Sequence, residues 1–196
     1  MVYGLDTVNN VSNIVSTIKS NGYSFVVRYY SLSANAKRTS ATELAAIGNA
    51  GLKRVVVYQN LHNSYSKFNA SIAQRDGSDA ISQAKSSGQT SGAIYFAVDY
   101  DASASEIDAN IKAHFQTLKT MVNKAGYSLG VYGSSLVCKK LKESGIVDYT
   151  WLAMSTGWGY GTTWRNWNIH QTSAVTVGGT LFDKNEASST TKIGAW

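Results

Sequence analysis

Several residue types are scarce in this chain of 196 residues, which has no proline, one cysteine, three histidines and twelve acidic residues. The single cysteine, Cys138, excludes an internal disulfide, and a buried or inert thiol is its simplest interpretation. His62, His114 and His170 share no metal-ligand spacing. We therefore expect neither a metal nor another cofactor, with His114 on a helix surface and His170 as a hydrogen-bonded barrel residue.

Long apolar runs and targeting signals are also lacking. The longest apolar runs are strand-sized, so we expect no membrane insertion. The N-terminus has no basic segment followed by an apolar one, so either export uses no classical signal or the chain begins after one. No arginine-rich run or nucleic-acid motif occurs, and the basic cluster at 139–142 is most simply a solvated helix face. Nucleic acid is therefore not an expected partner.

The overall composition is that of a folded, basic protein. Hydrophobic residues make up 43% of the chain, which excludes a disordered chain, and the length fits one domain. The net charge is +6 and the isoelectric point about 9.3, which favours a polyanionic partner such as an anionic cell-wall polymer. We predict one domain over residues 1–196, acting as a monomer. It could have been excised from a longer chain with a wall-binding domain.

Helical and strand patterns alternate along the chain. Glycines close the helical segments before the next strand, and Ser103 with Glu106 fits a capping box. The helices are predicted at 9–22, 40–51, 67–88 with a break near Gly77, 103–126 and 134–145. The strands are predicted at 2–6, 23–30, 53–60, 92–101, 127–134, 149–155, 167–172 and 180–183.

This alternation predicts an α/β fold with a parallel sheet covered by helices. Eight strands favour a closed (β/α)8, TIM-like barrel, small and with reduced helices near the C-terminus. A doubly wound open sheet is the alternative. It lacks its fingerprint, because no GxGxxG follows the first strand.

Polar residues gather where the strands end, which is the edge that carries the active site in such barrels. Four of the twelve acids lie there together with tyrosines and a tryptophan. The candidates are Asp6, Arg28, Tyr58, Asp99, Asp101, Tyr132, Trp151, Gln171 and Asp183.

Two of these acids, Asp99 and Asp101, are spaced i, i+2 in YFAVDYDAS. Residues at that spacing in a strand point to the same side, and two close carboxylates resist joint ionisation, which raises one pKa. A protonated carboxyl beside an ionised one is the arrangement used in glycoside hydrolysis. Alternatively, some of the four aspartates cap the helices that follow or pair with Arg28.

Other motifs are less specific. DYD also matches the DxD of some glycosyltransferases, but no nucleotide fingerprint accompanies it. GVYGSS is not the GxSxG elbow, and no catalytic triad is evident. The tract at 157–167, GWGYGTTWRNW, is either a packed lid or a sugar platform.

Six segments in order resemble a known family: GLDTVNN, YFAVDYDAS, GVYGSS, WLAMSTGW, WNIHQTS and FDKNEA. They resemble the bacterial and phage glycoside hydrolase-like domain family, catalogued as a domain of unknown function and similar to the family 25 lysozymes and phage endolysins. The resemblance covers essentially the whole chain. It implies a barrel fold and a glycosidase directed at peptidoglycan.

The resemblance also assigns residues. The family 25 lysozymes have an aspartate on the first strand, a D-x-E motif on the fourth, a glutamine on the seventh and a V-D-x-N motif on the last. By this resemblance Asp6 matches the first-strand aspartate and Asp99 the first residue of D-x-E. Gln171 matches the seventh-strand glutamine, and Asp183 matches the aspartate of V-D-x-N. Asp101 stands where the lysozymes have their catalytic glutamate. Aspartate is one methylene shorter and more acidic by roughly half a pKa unit, so Asp101 needs burial or Asp99 to stay protonated.

The leading hypothesis is an endolysin-like or muramidase-like glycosidase, secreted or released to the bacterial wall. Asp101 is the expected general acid. Asp99 tunes it or stabilises positive charge on the sugar or an oxazolinium, and Asp6 and Asp183 position substrate or water. The expected substrate-binding residues are Arg28, Tyr58, Tyr132, Trp151 and Gln171. A non-catalytic glycan-binding barrel is the alternative, and a transglycosylase or toxin-type enzyme is a third. Whether the reaction retains or inverts stays open.

Overall fold

The computed structural model describes residues 1–33, 37–158 and 163–196. Eight strands close into a barrel in sequence order, which confirms the predicted fold class over the open sheet. The strands are β1 (Val2–Asp6), β2 (Phe25–Tyr30), β3 (Lys53–Tyr58), β4 (Ala93–Ala97), β5 (Ser128–Gly133), β6 (Tyr149–Leu152), β7 (Ile169–Val177) and β8 (Thr180–Ala187).

Helices fill most connections between the strands. They are α1 (Val15–Ser20), α2 (Ala41–Asn49), α3 (Ala70–Ser86), α4 (Ala104–Glu106), α5 (Lys112–Lys124) and α6 (Ser135–Glu143). A π-helical segment, Ile107–Ile111, joins α4 to α5. The predicted capping box is confirmed, because Ser103 accepts from the Glu106 backbone and the Glu106 side chain accepts from the Ser103 backbone. None of the helices in the described ranges is long and apolar enough to cross a membrane.

The last strand departs from the predicted all-parallel sheet. β8 runs antiparallel to both β7 and β1. The connection from β7 is a two-residue turn, Gly178-Gly179, with φ of 56° and 79°. A turn this short can join only antiparallel strands, and its positive φ values favour glycine at both positions. The tip of this hairpin therefore lies at the same end of the barrel as the carboxyl ends of β1 to β7.

The core has two layers, one inside the barrel and one between the barrel and its helices. Phe25, Tyr95 and Trp151 are among the inner residues, whereas Val26 and Phe96 belong to the outer layer. The C-terminal tail packs at the amino ends of the strands, where the Tyr95 hydroxyl donates to the Ile193 carbonyl at 3.0 Å. The opposite end of the barrel carries the cleft described below.

Three local predictions were wrong. Helix α3 continues through Gly77, where the lack of a side chain leaves room for Met121 of α5. His114 is buried rather than on the surface, with Nδ1 at 3.0 Å from the Asn69 carbonyl. Strand β4 ends at Ala97, so Asp99 and Asp101 lie beyond it and the strand spacing does not place them on one face.

Candidate active site

A cleft of about 250 Å³ opens at the carboxyl ends of the strands. A second recess of about 180 Å³ adjoins it, and the two share Tyr29 and Asp183. Asp6 lies in the wall of this second recess. The main cleft is lined by Tyr29, Val57, Gln59, Ala97, Asp99, Tyr132, Trp151, Met154, Ser155, Gln171 and Asp183.

Asp6, the last residue of β1, is a buried carboxylate held by three donors. It is 2% exposed. Its Oδ1 accepts from the Tyr29 hydroxyl at 3.0 Å, and its Oδ2 accepts from Asn185 at 2.7 Å and from Gln171 at 3.1 Å. These donors favour the ionised form, but burial outweighs them and raises the pKa of Asp6 to about 7, with a smaller contribution from the nearby charge of Asp183.

Gln171 joins two of the carboxylates. Its Nε2 donates to Asp6 and to Asp183, at 3.1 Å in each case. Its Oε1 accepts from the Tyr132 hydroxyl, also at 3.1 Å. The Gln171 side-chain amide therefore donates one of its two N–H hydrogens to Asp6 and the other to Asp183. Burial raises the pKa of Asp183 as well.

Asn185 is fixed by an indole on the far side of its amide. Trp151 Nε1 donates to Asn185 Oδ1 at 2.7 Å inside the barrel. Because an indole N–H can only donate, the amide oxygen must face Trp151, and Nδ2 must face Asp6. Trp151 thus orients the group that holds Asp6.

Asp99 stands in the opposite wall of the cleft, held by two contacts from the segment that follows β3. Its Oδ2 accepts from Gln59 Nε2 at 2.6 Å, and its backbone N–H donates to the His62 carbonyl at 2.8 Å. Partial burial raises the pKa of Asp99, while the positive charge of Lys37 and the bond from Gln59 act in the other direction.

The buried ring of His62 holds this segment in place. Its Nδ1 accepts from the Asn60 backbone at 3.2 Å, and its Nε2 lies 2.8 Å from Asp76. The neutral tautomer with hydrogen on Nε2 satisfies both contacts. His62 therefore supports Asp99 from behind the cleft.

Three sequence-predicted residues lie in the wall of neither recess. Asp101 is exposed and is not among the lining residues. Arg28 is fully buried and paired with Glu43 at 2.6 Å, and its Nη1 also donates to the Thr7 carbonyl. The Tyr58 hydroxyl turns away toward Asp79, at 3.0 Å. Of the predicted set, the structure brings together Asp6, Asp99, Asp183, Tyr132, Trp151 and Gln171.

Four residues that act on the carboxyl groups of the site were missing from the predicted set: Tyr29, Lys37, Gln59 and Asn185. Asn185 follows Asp183 by two residues in β8, so the strand alternation could have found it. Tyr29 and Gln59 each follow a predicted residue, Arg28 or Tyr58, by one position. Because alternate residues of a strand face opposite sides, the prediction chose the residue that faces away from the cleft in each of these strands. No sequence signal pointed to Lys37.

No set of three metal-ligating side chains occurs among the residues that the structure describes. His170 bonds to Glu186, with Nδ1 at 3.0 Å from Oε1. Residues 159–162 of the predicted lid or platform lie outside the described residues.

A match to a family model identifies the family of this chain. The model of the Rv2525c-like, glycoside hydrolase-like domain matches residues 16–189. The chain belongs to this family. The assignment confirms the resemblance inferred from the six sequence segments.

Relatives of this glycoside hydrolase-like chain include the uncharacterised protein YbfG of Bacillus subtilis (strain 168). The two are 36% identical over 183 residues, which is 83% of this chain and 25% of YbfG. The chain therefore spans about a quarter of the length of that relative.

Solved structures share the fold at low identity. The Tat-secreted protein Rv2525c of Mycobacterium tuberculosis has a TM-score of 0.85 and 22% identity, covering all of this chain and 98% of the other. The catalytic domain of endolysin ply40, from bacteriophage P40 of Listeria monocytogenes, has a TM-score of 0.67 and 17% identity, covering 96% and 94%. At these identities the likeness shows the fold alone.

Proposed function

We propose that this chain is an O-glycosyl hydrolase acting on the glycan of the bacterial cell wall. One observation carries the proposal: three carboxyl groups, those of Asp6, Asp99 and Asp183, lie in two adjoining recesses and all have raised pKa values. Such an arrangement supplies a protonated carboxyl and an ionised one at the same pH. The tyrosines and Trp151 of the wall suit the C–H faces of sugar rings.

We assign the general acid to Asp99. Its Oδ2 is held by Gln59, and no described residue hydrogen-bonds Oδ1, which leaves that oxygen for a glycosidic oxygen. As the acid, Asp99 transfers its proton to the leaving oxygen while the bond from that oxygen to the anomeric carbon breaks. Asp101 is exposed and outside the cleft lining, so the proposal gives it no proton-transfer step.

Asp183 supplies negative charge beside the sugar, and Asp6 adds to it where the pH exceeds its pKa of about 7. Gln171 donates to both carboxylates, so it holds them close without adding charge of its own. Positive charge that develops at the anomeric carbon, or on an oxazolinium ring, is stabilised by this pair.

The comparisons support a wall substrate, and the net charge of +6 suits an anionic bacterial wall. An endolysin catalytic domain shares the fold, and the neighbour Rv2525c is a secreted protein. We propose an extracellular or wall site of action.

The second candidate is a glycan-binding barrel without catalysis. It is favoured by Asp101, which stands where the resemblance places the lysozyme glutamate and which is exposed here. This candidate predicts wall binding that survives Asp99→Asn and weakens when Tyr132 is replaced.

Product analysis after digestion of purified Gram-positive peptidoglycan tests the proposal. Hydrolysis predicts new reducing ends. Anhydro-muramic products would assign a transglycosylase instead. Binding to the wall with neither product would favour the glycan-binding barrel.

A further inference from the structure

Lys37 contacts two residues of the main cleft from the segment that leads from β2 to α2. Its Nζ lies 4.6 Å from the centre of the Tyr29 ring, and it also donates to Gln59 Oε1. Tyr29 and Gln59 both line the cleft. The segment is anchored on β2, because Arg38 forms a β-bridge with Tyr29 and the Thr39 N–H donates to the Tyr29 carbonyl at 2.9 Å. Lys37 therefore reaches the cleft from an ordered stretch of backbone.

The ammonium group of Lys37 decides which way the Gln59 amide faces. An ammonium can only donate, so the amide oxygen must face Lys37 and the amide nitrogen must face away from it. That nitrogen donates to Asp99 Oδ2 at 2.6 Å. Because Oδ2 already accepts a hydrogen from Gln59, a protonated Asp99 carries its own hydrogen on Oδ1.

Without Lys37, the Gln59 amide could face Asp99 in either of two ways. With its nitrogen toward Asp99, the amide donates to the carboxylate as it does here. With its oxygen toward Asp99, it accepts from a protonated Oδ2. The second orientation stabilises the protonated acid but directs its hydrogen to Gln59, away from the glycosidic oxygen.

The charges around Asp99 act in the same direction as this geometry. Its ionisable neighbours are Lys37 after β2, His62 after β3, Tyr132 of β5 and Asp101 of its own segment. Burial raises the pKa of Asp99, and the charge of Lys37 is the strongest influence against it, followed by the Gln59 bond and by His62. Burial also raises the pKa of Tyr132, so its hydroxyl is neutral. Loss of Lys37 therefore raises the pKa of Asp99.

We propose that Lys37 is a positioning residue, which locks the Gln59 amide so that Asp99 presents its hydrogen to the cleft on Oδ1. Lys37 acts through Gln59 rather than by contact with the sugar. The inference rests on the proposed hydrolysis, in which Asp99 is the acid. It has a distinctive consequence: removal of Lys37 makes Asp99 easier to protonate and yet a poorer acid catalyst.

The pH profile of reducing-end release from soluble fragments of Gram-positive glycan tests this consequence in Lys37→Met. We expect kcat to fall by about 10- to 100-fold, the scale of a misplaced catalytic group, while KM changes much less. The alkaline limb of the profile should move to higher pH, because the pKa of Asp99 rises when the positive charge is lost. A purely structural role for Lys37 would lower the rate without moving this limb.

Four further variants isolate the contact. Lys37→Arg keeps the charge and the donor, and should restore the limb and most of the rate. Lys53→Met makes the same change in net charge at the exposed amino end of β3, and should leave both unchanged. In a Gln59→Met background, Lys37→Met should lower the rate much less, because the amide through which Lys37 acts is gone. Thermal unfolding checks each protein, and Lys37→Gln is the alternative neutral variant if Lys37→Met does not fold.

Carbon-13 NMR of the Asp99 carboxyl separates this inference from the proposed function, because it needs no activity. A higher Asp99 pKa in Lys37→Met but not in Lys37→Arg, without reducing ends from wild type, would support the role of Lys37 and contradict the hydrolase. Reducing ends with a rate and limb that Lys37→Met leaves unchanged would overturn the inference alone. An Asp99 titration that Lys37→Met does not move, or that Lys53→Met moves equally, would also overturn it.

Discussion

Asp6 combines two opposing influences on one carboxyl group. Three donors favour its charged form, yet burial raises its pKa to about 7. Asn185 and Gln171 present only N–H groups to Asp6, whereas the Tyr29 hydroxyl can also accept. Protonated Asp6 therefore carries its hydrogen on Oδ1, toward Tyr29.

Asp6→Asn should reduce the pH dependence of stability. The folded protein keeps a proton on Asp6 up to about pH 7, while the ordinary aspartate pKa is 3.8. Between these values the folded state binds more protons than the unfolded state, so the free energy of unfolding falls as pH rises. Asparagine resembles the protonated form, and we expect the stability of the variant relative to wild type to rise by roughly 4 kcal/mol between pH 4 and pH 8, about 1.4 kcal/mol for each unit of pKa shift.

Urea denaturation at several pH values measures this difference. Asp148→Asn, which alters a carboxyl outside the cleft, is the control. A wild type and an Asp6→Asn protein with parallel stability curves would contradict the raised pKa.

Asn185→Leu should raise the pKa of Asp6 still further, because it removes the donor at 2.7 Å. Carbon-13 NMR of the aspartate carboxyls follows the titration directly. The matched control is Asn10→Leu, on the exposed surface. An Asp6 titration that does not move would mean that the Trp151–Asn185 arrangement has no influence on the acid.

The elements of the barrel were predictable where periodicity and glycine caps were strong. All eight strands exist near their predicted places. The helix–strand rhythm does not predict the direction of β8, because the neighbouring residues Gly178 and Gly179 form a tight hairpin turn that reverses the chain. The predicted β4 is longer than the observed strand because Val98 and Asp99 continue its apolar–polar alternation after the strand has ended.

Parity within a strand decided which site residues could be predicted. Tyr29 faces the cleft, while Arg28 pairs with Glu43 behind it. Likewise Val57 and Gln59 line the cleft, and Tyr58 packs outward. The position of a strand end shows how far along the barrel axis a side chain lies. Which of two neighbouring residues points into the barrel depends on the contacts that the other makes with the helices outside.

Gly130 of β5 should not tolerate a side chain. An added Cβ would lie 2.5 Å from the Tyr95 ring, which is fully buried inside the barrel. We expect Gly130→Ala to cost about 1–3 kcal/mol of stability. The cost should shrink in a Tyr95→Leu background, which thermal unfolding of the four proteins in this cycle measures. Equal costs in both backgrounds would contradict the proposed contact.

At the scale of the whole molecule, the sequence predicted the family, the barrel and five of the eleven residues that line the main cleft. Asp6, Asp99, Asp183 and Gln171 followed from the strand ends and the resemblance together. The support for Asp99 from Gln59 and His62 depends on a loop fold that no local pattern encodes.

The positive charge should make wall binding sensitive to salt. With a net charge of +6, attraction to an anionic wall is screened as ionic strength rises. We expect co-sedimentation with purified Gram-positive walls to decrease from low to high salt, and binding to uncharged chitin to change much less. Equal salt sensitivity on both materials would argue against charge-based attraction to the wall.

The proposed hydrolysis of a wall glycan depends on proton transfer by Asp99. Its most direct test compares reducing-end release from Gram-positive peptidoglycan by wild type, Asp99→Asn and Asp101→Asn, all with native unfolding temperatures. We predict that Asp99→Asn lowers the rate by about 10²–10⁴-fold, the scale of general acid catalysis, and that Asp101→Asn has a much smaller effect. A wild-type rate that survives Asp99→Asn and collapses in Asp101→Asn would contradict the account.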